Sequence, residues 1–244
     1  MLVGSTITVG AETRLRILPG TVVKFAQFQG LTVDGTLTAV GTAMAPIQFT
    51  DWRDDTAGGD SNGDGAETAP APNWWGGIVV RNAGSELHAH ARVRHAGYWN
   101  RAGLLKLGTG DLTLRRTVFE HNDLAGLNLQ AGYGAFVFEE NRFSHNTRGV
   151  QVGLNASFLD DDATEYADNG ADVYLDGGTI TVAEVEWSLK PAYAMLVGSQ
   201  VTVGSEARLR ILPGTVVKFA QYQGLVVDGA LTAIGTAMAP IQFT

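Results

Sequence analysis

Cysteine is absent from this 244-residue chain, so no disulfide framework can be the source of its stability. Basic residues are also scarce, with 17 Lys and Arg against 25 Asp and Glu, and the net charge of −8 disfavours binding to nucleic acid. No apolar run approaches the roughly 18 residues of a membrane-spanning helix, so we expect no membrane span. No stretch keeps the 3.6-residue periodicity of an amphipathic helix for long. These absences favour an all-β protein with an apolar core, for which 45% hydrophobic residues suffice.

The chain instead contains a long internal repeat. Residues 1–50 align without a gap with residues 195–244, so the two copies begin 194 positions apart. The eight positions that differ are Thr6/Gln200, Ile7/Val201, Ala11/Ser205, Thr13/Ala207, Phe28/Tyr222, Thr32/Val226, Thr36/Ala230 and Val40/Ile234. The pattern predicts one repeat-built domain over residues 1–244, made of a 194-residue unit and the first fifty residues of another. Residues 51–194 complete the first unit and include a loop at 54–72.

A shorter period runs through the middle of the chain. An aromatic residue followed three positions later by asparagine recurs in steps of 24 and 23 residues, at Phe119 and Asn122, Phe143 and Asn146, and Tyr166 and Asn169. Three short strands and three turns fill about this length, which is the coil of a parallel β-solenoid. We therefore predict about ten coils of about 23 residues, with the three asparagines stacked as an amide ladder at a coil corner.

Side chains of a strand alternate between the core and the surface. In the segments "TVVKF" and "LTVDG", the predicted inward residues are Val23, Phe25, Leu31 and Val33, and the predicted outward residues are Val22, Lys24, Thr32 and Asp34. The strand "LHAHARVRH" is predicted to turn Ala89, Ala91 and Val93 inward, and His88, His90, Arg92 and Arg94 outward as a solvated basic strip. A histidine pair in H-x-H spacing can bind a transition metal, but the neighbouring arginines disfavour this alternative.

The segment "ITVGAETRLRILPGTVVKFAQFQGLTVDGTLTAVGTAMAPIQFT", with "DDTAGGDSNGDGAETAPAPNWWGGI" at 54–78, resembles repeat modules of large bacterial secreted and cell-surface proteins. Those modules are right-handed parallel β-helices. The resemblance covers nearly the whole chain, and it implies an all-β, right-handed parallel β-helix located outside the cell or on its surface. It implies little about activity, because one fold carries many functions.

The motif "DSNGDG" places oxygen-bearing side chains at alternate positions before a glycine, as in a calcium-binding loop. The position that would carry the bidentate glutamate of an EF-hand is Ala71, so a further ligand must come from elsewhere. The candidate calcium ligands are Asp60, Asn62, Asp64 and Glu67, with Asp54 or Asp55 as alternatives to Glu67. The competing interpretation is a solvated acidic loop that binds no ion.

Three further groups of residues have a functional and a structural interpretation. His121 and His145 are expected to stack one coil apart rather than to bind metal. The carboxylates of Asp160–Asp162 could serve glycoside hydrolysis, but consecutive residues cannot all face one way, and a loop between strands is favoured. The aromatic residues that could stack on sugar rings, or instead cover the ends of strands, are Trp74, Trp75, Tyr98 and Trp99.

The sequence favours a non-enzymatic structural module, a rigid β-helical spacer or fibre segment of a bacterial extracellular protein. The second hypothesis is an adhesin-like module that binds polysaccharide, and the third is a polysaccharide lyase or hydrolase. No cap is recognisable at either end, and Thr244 lacks the continuation that Thr50 has at Asp51. We therefore expect the chain either to be cut from a longer array or to associate head to tail, with its final coil built to accept what residues 51 onward present.

Overall fold

The computed structural model describes residues 1–81, 90–130 and 136–244, together with the backbone of residues 85–88. Ala89 and the side chain of His88 therefore lie outside the described residues. All regular secondary structure in the described ranges is β-strand, and the named strands pair in parallel. Those ranges contain no helix long and apolar enough to cross a membrane.

The strands stack in five parallel sheets. The ten-stranded sheet contains β2 (Ile7–Val9), β5 (Leu31–Val33), β8 (Ile78–Val80), β11 (Leu104–Lys106), β14 (Leu127–Leu129), β17 (Arg148–Val152), β20 (Ala171–Leu175), β23 (Met195–Val197), β26 (Val216–Phe219) and β29 (Gln242–Phe243). The seven-stranded sheet contains β1 (Leu2–Val3), β4 (Val22–Phe25), β7 (Ile47–Asp51), β10 (Ala91–Arg94), β13 (Val118–Glu120), β16 (Arg142–Ser144) and β19 (Glu165–Ala167). The five-stranded sheet contains β3 (Arg14–Ile17), β6 (Thr36–Val40), β9 (Ser85–His88), β12 (Leu112–Arg115) and β15 (Phe136–Glu139). The two smaller sheets contain β18 (Phe158–Leu159), β22 (Glu184–Ser188), β25 (Arg208–Ile211) and β28 (Ala230–Ala233), and β21 (Gly178–Ile180), β24 (Val201–Val203) and β27 (Leu225–Val227).

This arrangement confirms the predicted parallel β-solenoid of about ten coils. Each strand pairs with the third strand after it over most of the chain, as expected for three strands per coil. The aromatic residues that revealed the period stack inside the core: the ring centroids of Phe119 and Phe143 lie 5.1 Å apart, and those of Phe143 and Tyr166 lie 5.5 Å apart. The core is continuous from Val3 to Val217.

The predicted asparagine ladder is confirmed. Asn122 Nδ2 donates to Asn146 Oδ1 at 3.0 Å, and Asn146 Nδ2 donates to Asn169 Oδ1 at 3.1 Å. Each amide also donates to a carbonyl of the previous coil, such as that of Phe119 for Asn146, at 3.0 Å. The ladder thus satisfies buried backbone groups at a corner where the strand pairing is interrupted.

A second polar ladder was not predicted from the sequence. Asn141 Oδ1 accepts a hydrogen bond from the backbone N–H of Thr117 at 3.1 Å, and the N–H of Asn141 donates to Thr164 Oγ1 at 3.1 Å. These three side chains are at most 1% exposed. Because threonine and asparagine alternate in this ladder, no single residue type recurs in consecutive coils, so the sequence alone does not reveal the period.

The inward assignments in β4 and β5 are confirmed, since Val23, Phe25, Leu31 and Val33 are at most 2% exposed. In the "LHAHARVRH" strand, the inward residues that the structure describes, Ala91 and Val93, are also buried. Two outward assignments were wrong with respect to exposure. Lys24 is only 2% exposed, because the loop after β7 covers it. Thr32 is 8% exposed, since Thr8 and Val79 flank it in the neighbouring strands.

The two copies of the repeat do not occupy the same sheets. In the first copy, β1 lies in the seven-stranded sheet and β2 in the ten-stranded sheet, whereas their equivalents β23 and β24 lie in the ten-stranded and three-stranded sheets. The shift arises after β18, because β21 adds a strand to the next coil and Phe158 pairs with Trp187, 29 positions later. The second copy therefore begins one sheet further round the coil.

Candidate metal site and surface aromatic cluster

The connection between β7 and β8, residues 52–77, forms a long excursion that we call the acidic loop. Its base is attached to the solenoid by buried acidic residues. Asp54 is 1% exposed and accepts a hydrogen bond from Thr50 Oγ1 at 2.6 Å, and Asp51 is 0% exposed and pairs with Arg53 at 2.6 Å. The guanidinium of Arg53 also lies over the ring of Trp74, 3.3 Å from its centroid. The base of the loop is thus held by charge-assisted hydrogen bonds that are shielded from water.

Arg94 reaches the same base from β10. Its Nη2 lies 2.8 Å from Asp54 Oδ2 and donates to Thr56 Oγ1 at 3.0 Å. The prediction of a solvated basic strip is therefore wrong at Arg94, whose side chain is 12% exposed. Burial opposes ionisation of Asp54, but the hydrogen bonds from Thr50 and Thr56, with the Arg94 guanidinium, hold its pKa below the ordinary value.

Lys24 is the third anchor of the loop. Its Nζ donates to the carbonyl of Gly59 at 2.6 Å, and the backbone at Gly58 lies against Val22. Gly58 and Gly59 both have positive φ angles, 71° and 76°, which glycine adopts without strain. The outer surface of β4 is therefore covered by backbone rather than by water.

Three carboxylates converge further out in the acidic loop. Asp55, Asp60 and Asp64 each place an oxygen so that the three atoms lie within 4.8 Å of one another. Oxygen ligands at 2.3–2.6 Å from a calcium ion lie at most about 5 Å apart, so the spacing suits calcium. Asp60 accepts hydrogen bonds from the N–H groups of Gly65 and Gly63, at 2.9 and 2.7 Å, and these bonds hold its pKa below the ordinary value.

Three side-chain oxygen atoms at this place have no hydrogen-bond partner among the described residues. Asp55 Oδ1, Asn62 Oδ1 and Asp64 Oδ1 are buried without a hydrogen-bond partner among the described residues. The amide of Asn62 is oriented by its Nδ2, which donates to Asp64 Oδ2 at 2.7 Å. Glu67 is exposed and lies outside the carboxylate cluster, while Asp55, one of the alternatives to it, lies inside. Burying such oxygens unpaired is costly unless a cation or water satisfies them.

The four aromatic residues singled out from the sequence have different surroundings. Trp75 is fully buried, stacks on Phe25 at 4.2 Å between ring centroids, and donates from Nε1 to the carbonyl of Arg94, so it belongs to the core. Trp74 is half-buried beneath Arg53. Tyr98 and Trp99 lie on the surface, their ring centroids 4.9 Å apart.

Phe28 joins this pair, which was not foreseen from the sequence. Its ring centroid lies 4.3 Å from that of Tyr98, and it is 42% exposed, while Trp99 is 63% exposed. Phe28 and Trp99 both have positive φ, 70° and 62°, a conformation that bulky side chains rarely adopt. We call Phe28, Tyr98 and Trp99 the aromatic platform. Arg101 borders it, with its guanidinium 5.2 Å from the Trp99 ring centroid.

The predicted stack of His121 and His145 is confirmed, with ring centroids 4.8 Å apart, and His95 extends it at 5.7 Å from His121. All three histidines have positive φ, and each directly follows the last residue of a strand. An alignment of "VRHA" with "FEHN" and "FSHN" would have shown that His95 occupies the same position as the other two. Burial lowers the pKa of His95 to about 4, against the opposing charge of Asp54. The stacked rings lie parallel rather than converging on one point, which suits packing rather than metal binding.

Asp160–Asp162 lie in the loop between β18 and β19, as expected. Asp160 turns towards the core and accepts a hydrogen bond from Tyr166 Oη at 3.0 Å. Asp161 accepts hydrogen bonds from the backbone of Thr164 and Glu140, at 2.9 and 2.8 Å. These two carboxylates therefore support the local fold.

No family model, no curated protein and no solved structure matches this chain.

Proposed function

We propose that this protein is a non-enzymatic structural module, a rigid β-helical spacer of an extracellular or cell-surface protein, which stacks head to tail with further copies. The supporting observation is the C-terminal face of the solenoid. Val227, Leu231 and Phe243 are 41%, 38% and 48% exposed there. Their equivalents in the first copy are Val33, Leu37 and Phe49, all 0% exposed beneath the next coil.

Covering this face would stabilise an assembly. Each of the three side chains gains about 1–2 kcal/mol when water is removed from it, and the free strand edges of β27–β29 gain hydrogen-bond partners. A contact between unlike ends does not close on itself, so it produces filaments rather than dimers.

Light scattering at rising protein concentration tests this association. We expect the apparent mass to increase with concentration, and Val227→Asp or Leu231→Asp to abolish the increase. Met44→Asp is the matched control, because Met44 is 95% exposed in a turn away from this face. A wild-type chain that stays monomeric at all concentrations, or a Met44 variant that behaves like the Val227 variant, would contradict the proposal.

We also propose that the acidic loop binds one calcium ion with a structural role. Asp55, Asp60, Asp64 and Asn62 would hold it, and water would complete the six to eight oxygen ligands that calcium prefers. The unpaired Oδ1 atoms of Asp55, Asn62 and Asp64 support this assignment. The bound ion would neutralise the carboxylate cluster and order the loop.

Terbium luminescence, sensitised by the nearby tryptophans and competed by calcium, measures the affinity of this site. We expect Asp55→Asn and Asp64→Asn to weaken binding at least about tenfold, which corresponds to about 1.4 kcal/mol. Glu67→Gln should leave the affinity unchanged. Equal effects of the Asp55 and Glu67 variants would contradict this ligand set, and an absence of binding by the wild type would reject the site.

A second candidate function, binding of polysaccharide, is supported by the aromatic platform. The apolar faces of pyranose rings carry C–H groups with partial positive charge, which pack on the negative face of an aromatic ring. Contiguous exposed aromatic surface marks interaction sites.

A glycan array followed by affinity electrophoresis tests this candidate. Trp99→Ala and Phe28→Ala should remove binding. Tyr222→Ala is the matched control, because Tyr222 occupies the position of Phe28 in the second copy and is 92% exposed. If no glycan is retained, or if the Tyr222 variant loses as much binding as the Phe28 variant, the platform is not a sugar site.

A further inference from the structure

The protein contains the same surface twice, once covered and once bare. Residues 14–27 and 208–221 are identical, as are residues 41–50 and 235–244. In the first copy, the acidic loop covers this surface. Lys24 binds the carbonyl of Gly59, and Thr50 binds Asp54.

In the second copy, the equivalent surface is open at Lys218, Gln242 and Thr244, which are exposed, whereas Val216 is buried. Lys218 is exposed, whereas Lys24 is 2% exposed. A cavity of about 310 Å³ lies beside it, lined in part by Val216, Lys218, Gln242 and Thr244. We call these four residues the second-copy seat; their first-copy equivalents are the residues that the acidic loop covers or borders, Val22, Lys24, Gln48 and Thr50.

The open surface extends beyond the seat to an aromatic ring and a strand edge. In the first copy, Trp75 stacks on Phe25 with an angle of 2° between the rings, and β8 pairs with β5 through Ile78 opposite Leu31. In the second copy, Phe219 is only partly buried, and Leu225 lies on the free edge of β27.

We propose that the second-copy seat, Phe219 and the edge of β27 form a docking surface for a polypeptide segment with the sequence of residues 51–81. Lys218 gives the seat an exposed positive charge, although Asp172 lines the same cavity, and the segment carries six acidic and two basic residues. The segment places the carbonyl of its second glycine on Lys218, its third tryptophan, the counterpart of Trp75, on Phe219, and its Ile-Val-Val strand on β27. This inference rests on the proposed stacking function, because it specifies what the C-terminal face accepts.

The test is an extended chain in which residues 51–81 are repeated after Thr244, compared with the original chain by amine labelling and mass spectrometry. In the original chain, we expect Lys218 to react and Lys24 to be protected. In the extended chain, labelling of Lys218 should fall at least about tenfold, as for groups that react only after local opening. The control extension carries Asp54→Ala and Trp75→Ala at the corresponding positions, so it adds equal length without the anchors.

Circular dichroism verifies that the solenoid is intact in both extended chains. Continued reactivity of Lys218 in the extended chain, with Lys24 still protected, would overturn the inference, as would equal protection by the control extension. Protection of Lys218 in the extended chain that depends on protein concentration would assign the seat to a second molecule and overturn the occupant proposed here. The labelling and light-scattering results distinguish the two proposals. If the original chain associates but Lys218 stays reactive in the extended chain, only this inference is rejected. If Lys218 is protected in the extended chain but the original chain does not associate, only self-stacking is rejected.

Discussion

The carboxyl group of Asp160 should make the stability of the solenoid fall as pH rises towards neutrality. Asp160 Oδ1 accepts the hydrogen bond from Tyr166, while Oδ2 is buried without a partner among the described residues. Burial raises the pKa of Asp160 to about 7, from an ordinary value of 3.8, with Asp161 contributing in the same direction. The folded protein therefore keeps a proton on Asp160 between about pH 4 and pH 7, whereas the unfolded chain has released it.

The sign and size of this pH dependence of stability follow from proton linkage. Because the folded state binds more protons in this window, the free energy of unfolding decreases as pH rises. A shift of about three pKa units at about 1.4 kcal/mol each gives a loss of up to about 4 kcal/mol, complete above pH 7. The asparagine side chain in Asp160→Asn resembles the protonated acid and retains an oxygen for Tyr166. The free energy of unfolding of this variant should therefore not show the decrease with rising pH.

Urea unfolding followed by tryptophan fluorescence at pH values from 4 to 8 measures the effect. The free energy of unfolding of Asp160→Asn minus that of the wild type should increase across the window by about 4 kcal/mol. Asp162→Asn, in the exposed part of the same loop, controls for the removal of one negative charge. A difference between Asp160→Asn and wild type that stays constant with pH, or an equal trend in the Asp162 variant, would refute the reasoning.

Three further predictions concern single side chains. Folding depresses the pKa of His95 to about 4, so wild type should lose up to about 3 kcal/mol relative to His95→Gln as pH falls from 6.5 to 4, measured by the same urea titration. Asn146→Ala leaves the N–H of Asn122 and the carbonyl of Phe119 unpaired, and should lower the free energy of unfolding by about 3 kcal/mol; a loss under about 1 kcal/mol would show that the ladder adjusts. Lys24→Met should cost about 1–3 kcal/mol through the lost bond to Gly59, and Lys218→Met under about 0.5 kcal/mol, so equal losses in thermal unfolding would contradict the burial of Lys24.

The fold was predictable because its determinants are periodic. Phe119, Phe143 and Tyr166 recur at the coil length, and strand alternation then assigns residues such as Val23 and Phe25 to the core. Coil stacking brings residues one period apart into contact, so the asparagine ladder followed directly from its spacing.

The surface of β4 was not predictable by the same reasoning. Alternation places Lys24 on the outer side, but its exposure depends on the acidic loop, which begins at residue 52 and folds back over it. The ion pair of Arg94 with Asp54 likewise joins residues 40 positions apart, which is not a multiple of the coil. Within the candidate metal site, the motif identified Asp60 and Asp64, while the choice between Asp55 and Glu67 depended on the path of a chain with no regular structure.

The offset between the two copies has a consequence for how such rods display their loops. The two copies of the fifty-residue segment, which differ at eight positions, form stacked strands in two different sets of sheets. The segment therefore folds against the coils above and below it wherever it begins around the coil. The direction in which a loop projects is therefore set by the number of strands that precede it. One inserted strand and turn, as at β21, rotates every following loop by one face while leaving the core intact. Insertions of this size therefore determine how the loops of a repeated segment are distributed around the circumference of the rod.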